Sequence, residues 1–446
     1  MNKPCDLIIE VRWLVPVEPK NVVLEHHSVV VQAGRIIDLL PTALARQQYQ
    51  PLQRTVLDDS VLIPGLINLH THAAMTLMRG LADDLPLMPW LQQHIWPAEQ
   101  RWVSHEFVRD GTLLACAEML RAGVTCFNDM YFHPAAAEQA VAQAGMRANL
   151  GLVVMDFPTS YAVDAEDYLH QGLAARDGWR GNPLVTASLA PHAPYTLSDA
   201  SFEHVVMYAE QLGLGIHTHL HETQDEITQS LQLHGRRPMQ RMVDLGVLSP
   251  GLIAAHCVHM TQDDMDLLRA HGGHIAHCPA SNLKLASGMS PVAAMQAAGL
   301  NIGIGTDGAA SNNRLDMLAE MRLAALLAKG VAGDATAVPA CQALSMATIN
   351  AARALGLDDR IGSIEVGKFA DLTALRMGDI ETLPCYDVLS HVVYVLGREH
   401  VSHVWVSGDL RYQKLPQQDG LYANIEAMEL REISSKWYKK LKQSQN

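Results

Sequence analysis

Residues 61–72 read VLIPGLINLHTH, an apolar, β-branched run that ends on two histidines one residue apart. In extended backbone alternate side chains share a face, so His70 and His72 point the same way and can reach one ion together. Taken alone, such a pair is more often two packed histidines at a strand end. Its meaning comes from the rest of the chain. A short apolar run, a polar end and a stretch of helical periodicity recur as far as Gly367: GVTCFNDM (123–130), RANLGLVVMD (147–156), LVTASLAPH (184–192), LGIHTHLH (214–221), GLIAAHC (251–257), GGHIAHC (272–278) and LNIGIGTD (300–307). With 61–70 these make eight candidate strands, separated by helix patterns, several of which open on Ser, Thr or Asp and close on Gly. Eight βα units make a (β/α)8 TIM barrel the economical reading. An open doubly wound sheet would want a glycine-rich phosphate turn after its first strand, and PGLINLHTH has none.

The strand ends carry the functional signal. Strand one finishes at His70 and His72, four at His192, five at His219 and Glu222, six at His256, seven at His277 and eight at Asp307. In a barrel of this kind the C-terminal strand ends converge on one mouth, so these scattered residues become neighbours.

Residues 1–60 and 368–446 lack the barrel rhythm. CDLIIEVRWLVP and SVVVQAGRIIDLLP read as strands with a turn at Ala33-Gly34, and ADLTALR, HVVYVLG and HVWVSGDLRY read likewise near the other end. The two termini are therefore expected to form one small β-sandwich domain beside a catalytic barrel over 61–367. The tail after Ala423, with Lys436, Lys439, Lys440 and Lys442, reads as a solvated helix.

Composition narrows the function. The 446 residues are 48% hydrophobic, enough for a large core. A net charge of -14, with no long basic block, argues against nucleic acid. Seven cysteines with no C-x-x-C pair suggest neither a disulfide framework nor a zinc ribbon, and no uncharged stretch of about 18 apolar residues occurs, so a soluble cytoplasmic protein is expected.

Imidazoles at the ends of strands one and five and a carboxylate at the end of strand eight give three nitrogen ligands and one oxygen. Zn²⁺ accepts that set, and imidazole also suits iron, nickel or copper. On strand five His217, His219 and His221 alternate and face one side; His217 would sit deeper, as a hydrogen-bonded interior residue, and spacing does not choose between the other two. LVTASLAPHAPY offers His192 where a two-metal barrel would carry a bridging lysine, so one ion is expected. Such an ion brings water to a pKa of about 7. Asp307 could then take a proton while touching the ion, and Glu222 could protonate a ring nitrogen or leaving group.

The segments PGLINLHTH, TLMRGLADDLPLMPWLQQHIWPAE, PHAPYT, HTHLHET, AAHCVH, HCPASNLKL, GTDGAASNN and GKFADLTAL, in this order, cover almost the whole chain. Together they resemble the amidohydrolase superfamily, in the branch of methylthioadenosine/S-adenosylhomocysteine deaminases and triazine hydrolases. The resemblance implies His70, His72, His219 and Asp307 as metal ligands, which selects His219 on strand five, with the ion being zinc or Fe²⁺. It implies Glu222 as the proton shuttle to the purine, His256 as the residue orienting water, and Trp90, Glu99, His192 and Ser311 as substrate contacts. An N-cap is an equally good reading of Ser311. A carboxylate at Glu99 suits ribose because it accepts hydrogen bonds from both cis hydroxyls. The activity implied is hydrolytic deamination at C6 of an adenine nucleoside by a homodimer. Relatives acting on S-adenosylhomocysteine place arginines around the loop after strand three, whereas Leu150 through Ala175 contains none. The expected substrates are 5′-methylthioadenosine first, then adenosine, with S-adenosylhomocysteine weaker. Guanine deamination or triazine dechlorination would use the same machinery. A non-catalytic scaffold is disfavoured by the complete ligand set.

Overall fold

The computed structural model describes residues 2–415 and 420–443. Eight parallel strands follow one another in chain order around a barrel: Leu66–Thr71, Val124–Tyr131, Arg147–Val154, Val185–Pro191, Gly215–Leu220, Leu252–His256, His274–His277 and Asn301–Ile304. Between the first and last of them the Asn68 side chain and a backbone hydrogen bond make the join. Asn68 donates from Nδ2 to Thr306 Oγ1 (2.8 Å) and accepts from the Thr306 amide (2.9 Å), while the Asp307 amide donates to the His70 carbonyl (2.9 Å). This seam needs Gly305, where a Cβ would lie 2.7 Å from the His70 nitrogen. Helices cover the outside, and side chains of Ser104, Asp164, Ser198, Thr223, Thr261 and Asp316 cap their N-termini.

The first candidate strand, 61–70, is in fact the join between two sheets. Val61 to Pro64 ends the long strand Tyr49–Pro64 of the terminal unit, pairing with Leu372–Arg376, and the barrel strand begins at Leu66. Gly65 makes the passage, its Cα so close to Thr125 that a Cβ would overlap that side chain. Both pieces are apolar and buried, so hydropathy ran through the boundary, and the Pro-Gly pair was its only mark.

The termini do combine in one β-rich unit. Lys3–Leu14, Leu24–Gln32, Arg35–Pro41 and Tyr49–Pro64 from the front join Leu372–Arg376, Val401–Val406, Asp409–Gln413 and Leu421–Tyr422 from the back in a mixed eight-stranded sheet. The sheet curls, so Ile9, Val29 and Val31 share a core with Leu372, Ala374 and Trp405 from its other half. Ala33-Gly34 and Ser407-Gly408, all with positive φ, turn the two hairpins as their right-handed twist demands. HVVYVLG is not a strand: Asp387 caps a helical turn, and His391–Val395 continues it with Val392 and Val393 buried.

The tail helix, Ala427–Gln443, is docked, not solvated. Ile433, Trp437 and Leu441 form one buried stripe, Trp437 meets Phe107 edge-on at 5.0 Å between centroids, and its indole donates to buried Asp110 (2.9 Å). Lysines interleave with this stripe in sequence and hid it; Lys436 and Lys440 flank it, over the Trp437 ring and paired with Glu106. No helix among the described residues is long and apolar enough to cross a membrane.

Barrel and terminal sheet are tied by an ion pair. Arg147 and Asp371 are both buried, with Arg147 Nε 3.0 Å from Asp371 Oδ2; Asp371 also accepts from the Ser407 amide (2.8 Å). The GKFADLTAL segment thus supplies Asp371 to this pair and Leu372–Leu375 to the terminal sheet. Asp371→Ala leaves a buried guanidinium unpaired and is expected to destabilise the protein by about 3–5 kcal/mol in denaturant unfolding; a loss below about 1 kcal/mol would show that the pair is not needed.

Candidate active site

The strand ends meet at the C-terminal mouth. His70 Nε2 and His72 Nε2 lie 3.4 and 3.2 Å from Asp307 Oδ1, and His219 Nε2 lies 3.3 Å from His72 Nε2. Every one of these rings is anchored from behind. His72 Nδ1 donates to the Met130 carbonyl (2.6 Å), His219 Nδ1 to the His192 carbonyl (2.6 Å), and His70 Nδ1 meets His217 Nε2 at 2.8 Å. Anchoring one ring nitrogen fixes the orientation of the other, which here points to a shared centre.

His70 Nε2 is buried and has no hydrogen-bond partner. Ligand atoms of His70, His72 and His219, and of His70, His256 and Asp307, lie within 4.8 Å of one another. An orphaned buried nitrogen at the convergence of three imidazoles and a carboxylate fits a divalent cation. Burial holds His70 at about 4 and His219 well below the ordinary histidine range, so both offer lone pairs at neutral pH. Asp307, despite its burial, stays well below the usual carboxylate range through His70 and His72. Burial opposes protonation of His72, but Asp307 and the Met130 carbonyl outweigh it and raise His72 to about 9.

Alternation on strand five ends at Leu220. His217 lies inside the barrel, between His70 and the Asn128 side chain. His221 has φ 57°, which turns its ring outward, where Nε2 accepts from the Met239 amide. His219 alone reaches the centre. His277 is buried behind the mouth and lines a separate small cavity.

Glu222, His256, Asp307, Trp90, Glu99 and His192 all line one cavity over this centre. His256 Nδ1 is held by Asn282 Oδ1 (2.8 Å), leaving Nε2 3.8 Å from Glu222 Oε2. Glu222 accepts from Ser287 Oγ at 3.2 Å, and its amide donates to Glu226 (2.8 Å). Burial raises the Glu222 carboxyl above its ordinary range, and that of Glu99 to about 7. Trp90 is pinned by its indole to the Ala82 carbonyl at 3.2 Å.

Ser311 is the exception. It does not line the cavity; its hydroxyl donates to Asp307 Oδ2 at 2.7 Å, so in this structure it contacts the carboxylate of Asp307. The sequence reading also passed over Tyr131, which lines the cavity and donates from its hydroxyl to Glu99 Oε1 (2.8 Å). Its place at the end of strand two, after NDM, was the available signal. No Lys or Arg lines the cavity among the described residues, and Arg176 lies in a pocket at the opposite end of the barrel.

Comparison with known proteins agrees with this architecture. The family model described as Amidohydrolase family matches residues 61–411. A 5-methylthioadenosine/S-adenosylhomocysteine deaminase of Teredinibacter turnerae is 46% identical over 439 residues, 98% of each chain. The protein of the same name from Saccharophagus degradans is 48% identical over 405 residues, 91% of each chain. The crystal structure of an adenosine deaminase from Xanthomonas campestris with bound zinc is 47% identical, with a TM-score of 0.96 over 99% of this chain and 100% of that one. This chain belongs to the amidohydrolase family, in its branch of 5-methylthioadenosine/S-adenosylhomocysteine deaminases.

Proposed function

We propose that the protein is a hydrolytic deaminase that converts 5′-methylthioadenosine and water to 5′-methylthioinosine and ammonia, with adenosine as a further substrate. The observation that carries this reading is one cavity with an ion-binding cluster and Glu222 at its floor, a buried carboxylate at Glu99, and walls including Trp90, Trp96 and Phe157. The zinc-bound Xanthomonas relative and the three-nitrogen, one-oxygen donor set support zinc as the ion, with Fe²⁺ the second fit. His70, His72, His219 and Asp307 would hold a divalent ion, whose Lewis acidity would favour ionisation of water near neutral pH.

The chain's own residues handle binding and protons. Glu99, oriented by Tyr131, accepts hydrogen bonds from the ribose hydroxyls, and His192 contacts the base. Glu222 delivers a proton to N1 of the purine and recovers one from the C6 hydroxyl as ammonia leaves, a role its raised pKa favours. Asp307 accepts a proton from the attacking water and passes it to the departing ammonia, while His256 orients that water. Seven free cysteines among the described residues support a reducing, cytoplasmic location. Homodimerisation rests on family resemblance.

The test is ammonia release from zinc-loaded protein given 5′-methylthioadenosine, adenosine, S-adenosylhomocysteine and guanine. A homocysteine tail would bring its carboxylate into a cavity whose lining, among the described residues, includes the acidic side chains Glu99, Glu222 and Asp307 and neither Lys nor Arg. Its kcat/KM is expected to be about 10- to 100-fold below that of methylthioadenosine; equal values would overturn that preference. Dialysis against a chelator should abolish turnover and added zinc restore it. Full activity after complete metal removal would exclude the role given to the histidine cluster.

A further inference from the structure

Asp307 is gripped from several sides. Ser281 Oγ donates to its Oδ2 at 2.6 Å and Ser311 Oγ to the same oxygen at 2.7 Å, the latter also within 3.1 Å of the Gly308 carbonyl. The Gly308 amide donates to Oδ1 (2.7 Å), and the Asp307 carbonyl accepts from Thr71 Oγ1 (3.0 Å) and Thr306 Oγ1 (2.9 Å). The residue sits at φ 63°, a left-handed conformation that needs such support outside glycine.

The two serines come from different elements: Ser281 from the short helix Pro279–Lys284 after strand seven, Ser311 from the turn after strand eight. One buried carboxylate joins those elements. Glu320, on the helix Met317–Ala332, accepts from Asn312 Nδ2 at 2.8 Å and from the Ala280 amide at 3.2 Å, the immediate neighbours of both serines. Neither serine lines the substrate cavity.

The final torsion of an aspartate is broad and nearly two-fold, so nothing intrinsic decides which oxygen faces a given neighbour. Two charge-assisted hydrogen bonds on one oxygen do decide it. We propose that Ser281 and Ser311 are paired positioning residues that hold Oδ2 away from the histidines and so present Oδ1 as the ion-binding and proton-accepting face of Asp307. Ser281 carries more of this than Ser311, whose hydroxyl is shared with a backbone carbonyl. The activity consequence rests on the deaminase reading, whereas the ion-binding consequence does not.

The experiment compares wild type with Ser281→Ala, Ser311→Ala and the double variant. Zinc affinity is measured by chelator competition, the visible absorption of the cobalt(II)-loaded protein is recorded, and kcat and KM are determined with 5′-methylthioadenosine. The double variant is expected to lose about 10- to 100-fold in zinc affinity and in kcat, with KM within about twofold and an altered cobalt spectrum. Ser281→Ala should lose more than Ser311→Ala. If alanine prevents folding, Ser281→Cys and Ser311→Cys keep the volume with a weak donor and should show the same losses. Wild-type zinc affinity and cobalt spectrum in the folded double or cysteine variants would overturn the inference. Weakened zinc binding in a protein whose wild type deaminates no nucleoside would leave it standing and remove the function proposed above.

Discussion

Asp307→Asn should lower kcat by about a thousandfold or more, within the range that general acid–base groups and ion ligands contribute. The substitution nearly preserves shape. An amide oxygen can still face His70 and His72, and the amide nitrogen can donate to Ser281 and Ser311, whose hydroxyls are free to rotate. What disappears is the negative charge opposite three imidazoles and a base able to take a proton. Both losses bear on the same step, so they should not appear as a change in KM alone. Measuring bound zinc alongside kcat separates a protein that loses its ion from one that keeps it inert. Retention of more than about a tenth of wild-type kcat would rule out the double role of Asp307.

Glu222→Gln should cost about 10²- to 10⁴-fold in kcat while zinc content stays at the wild-type level. Glu222 is not in the ion cluster, but its carboxyl reaches His256 and Ser287 across the cavity floor. Burial raises its pKa, so the protonated form that donates to N1 persists to higher pH than an exposed glutamate would allow. Activity depending on that proton is present below the raised pKa and declines as pH rises through it. The glutamine variant carries no such titration, so the residual rate should lose that alkaline decline. An unchanged pH profile, or kcat within threefold of wild type, would move the proton delivery to another residue.

The barrel was legible because each strand announced itself by a β-branched run and a polar end, and because His70, His72, His219 and Asp307 all fall at such ends. Two kinds of feature were not legible. One is any boundary that hydropathy crosses without change, as at Pro64-Gly65, or a helical turn built from valines, as at His391–Val395. The other is a side chain whose direction depends on a single backbone torsion. His221 continues the alternation in sequence, yet its left-handed φ sends it to the Met239 amide. Ser281 and Tyr131 escaped for a related reason: a hydroxyl behind a ligand carboxylate or beside a buried glutamate has no spacing signature, since its partner comes from a distant part of the chain.

The sheet shared by the termini also sets a timetable for folding. Strand Tyr49–Pro64 has its second neighbour in Leu372–Arg376, about 300 residues later in the chain. At a synthesis rate of ~5–20 residues per second, the front half of that sheet waits roughly 15–60 s with one edge of backbone donors and acceptors open. During that interval Arg147 also lacks Asp371. The nascent chain therefore carries that open edge until about its last sixth emerges. A product truncated before Leu372 should aggregate through that exposed strand and not persist as a soluble barrel.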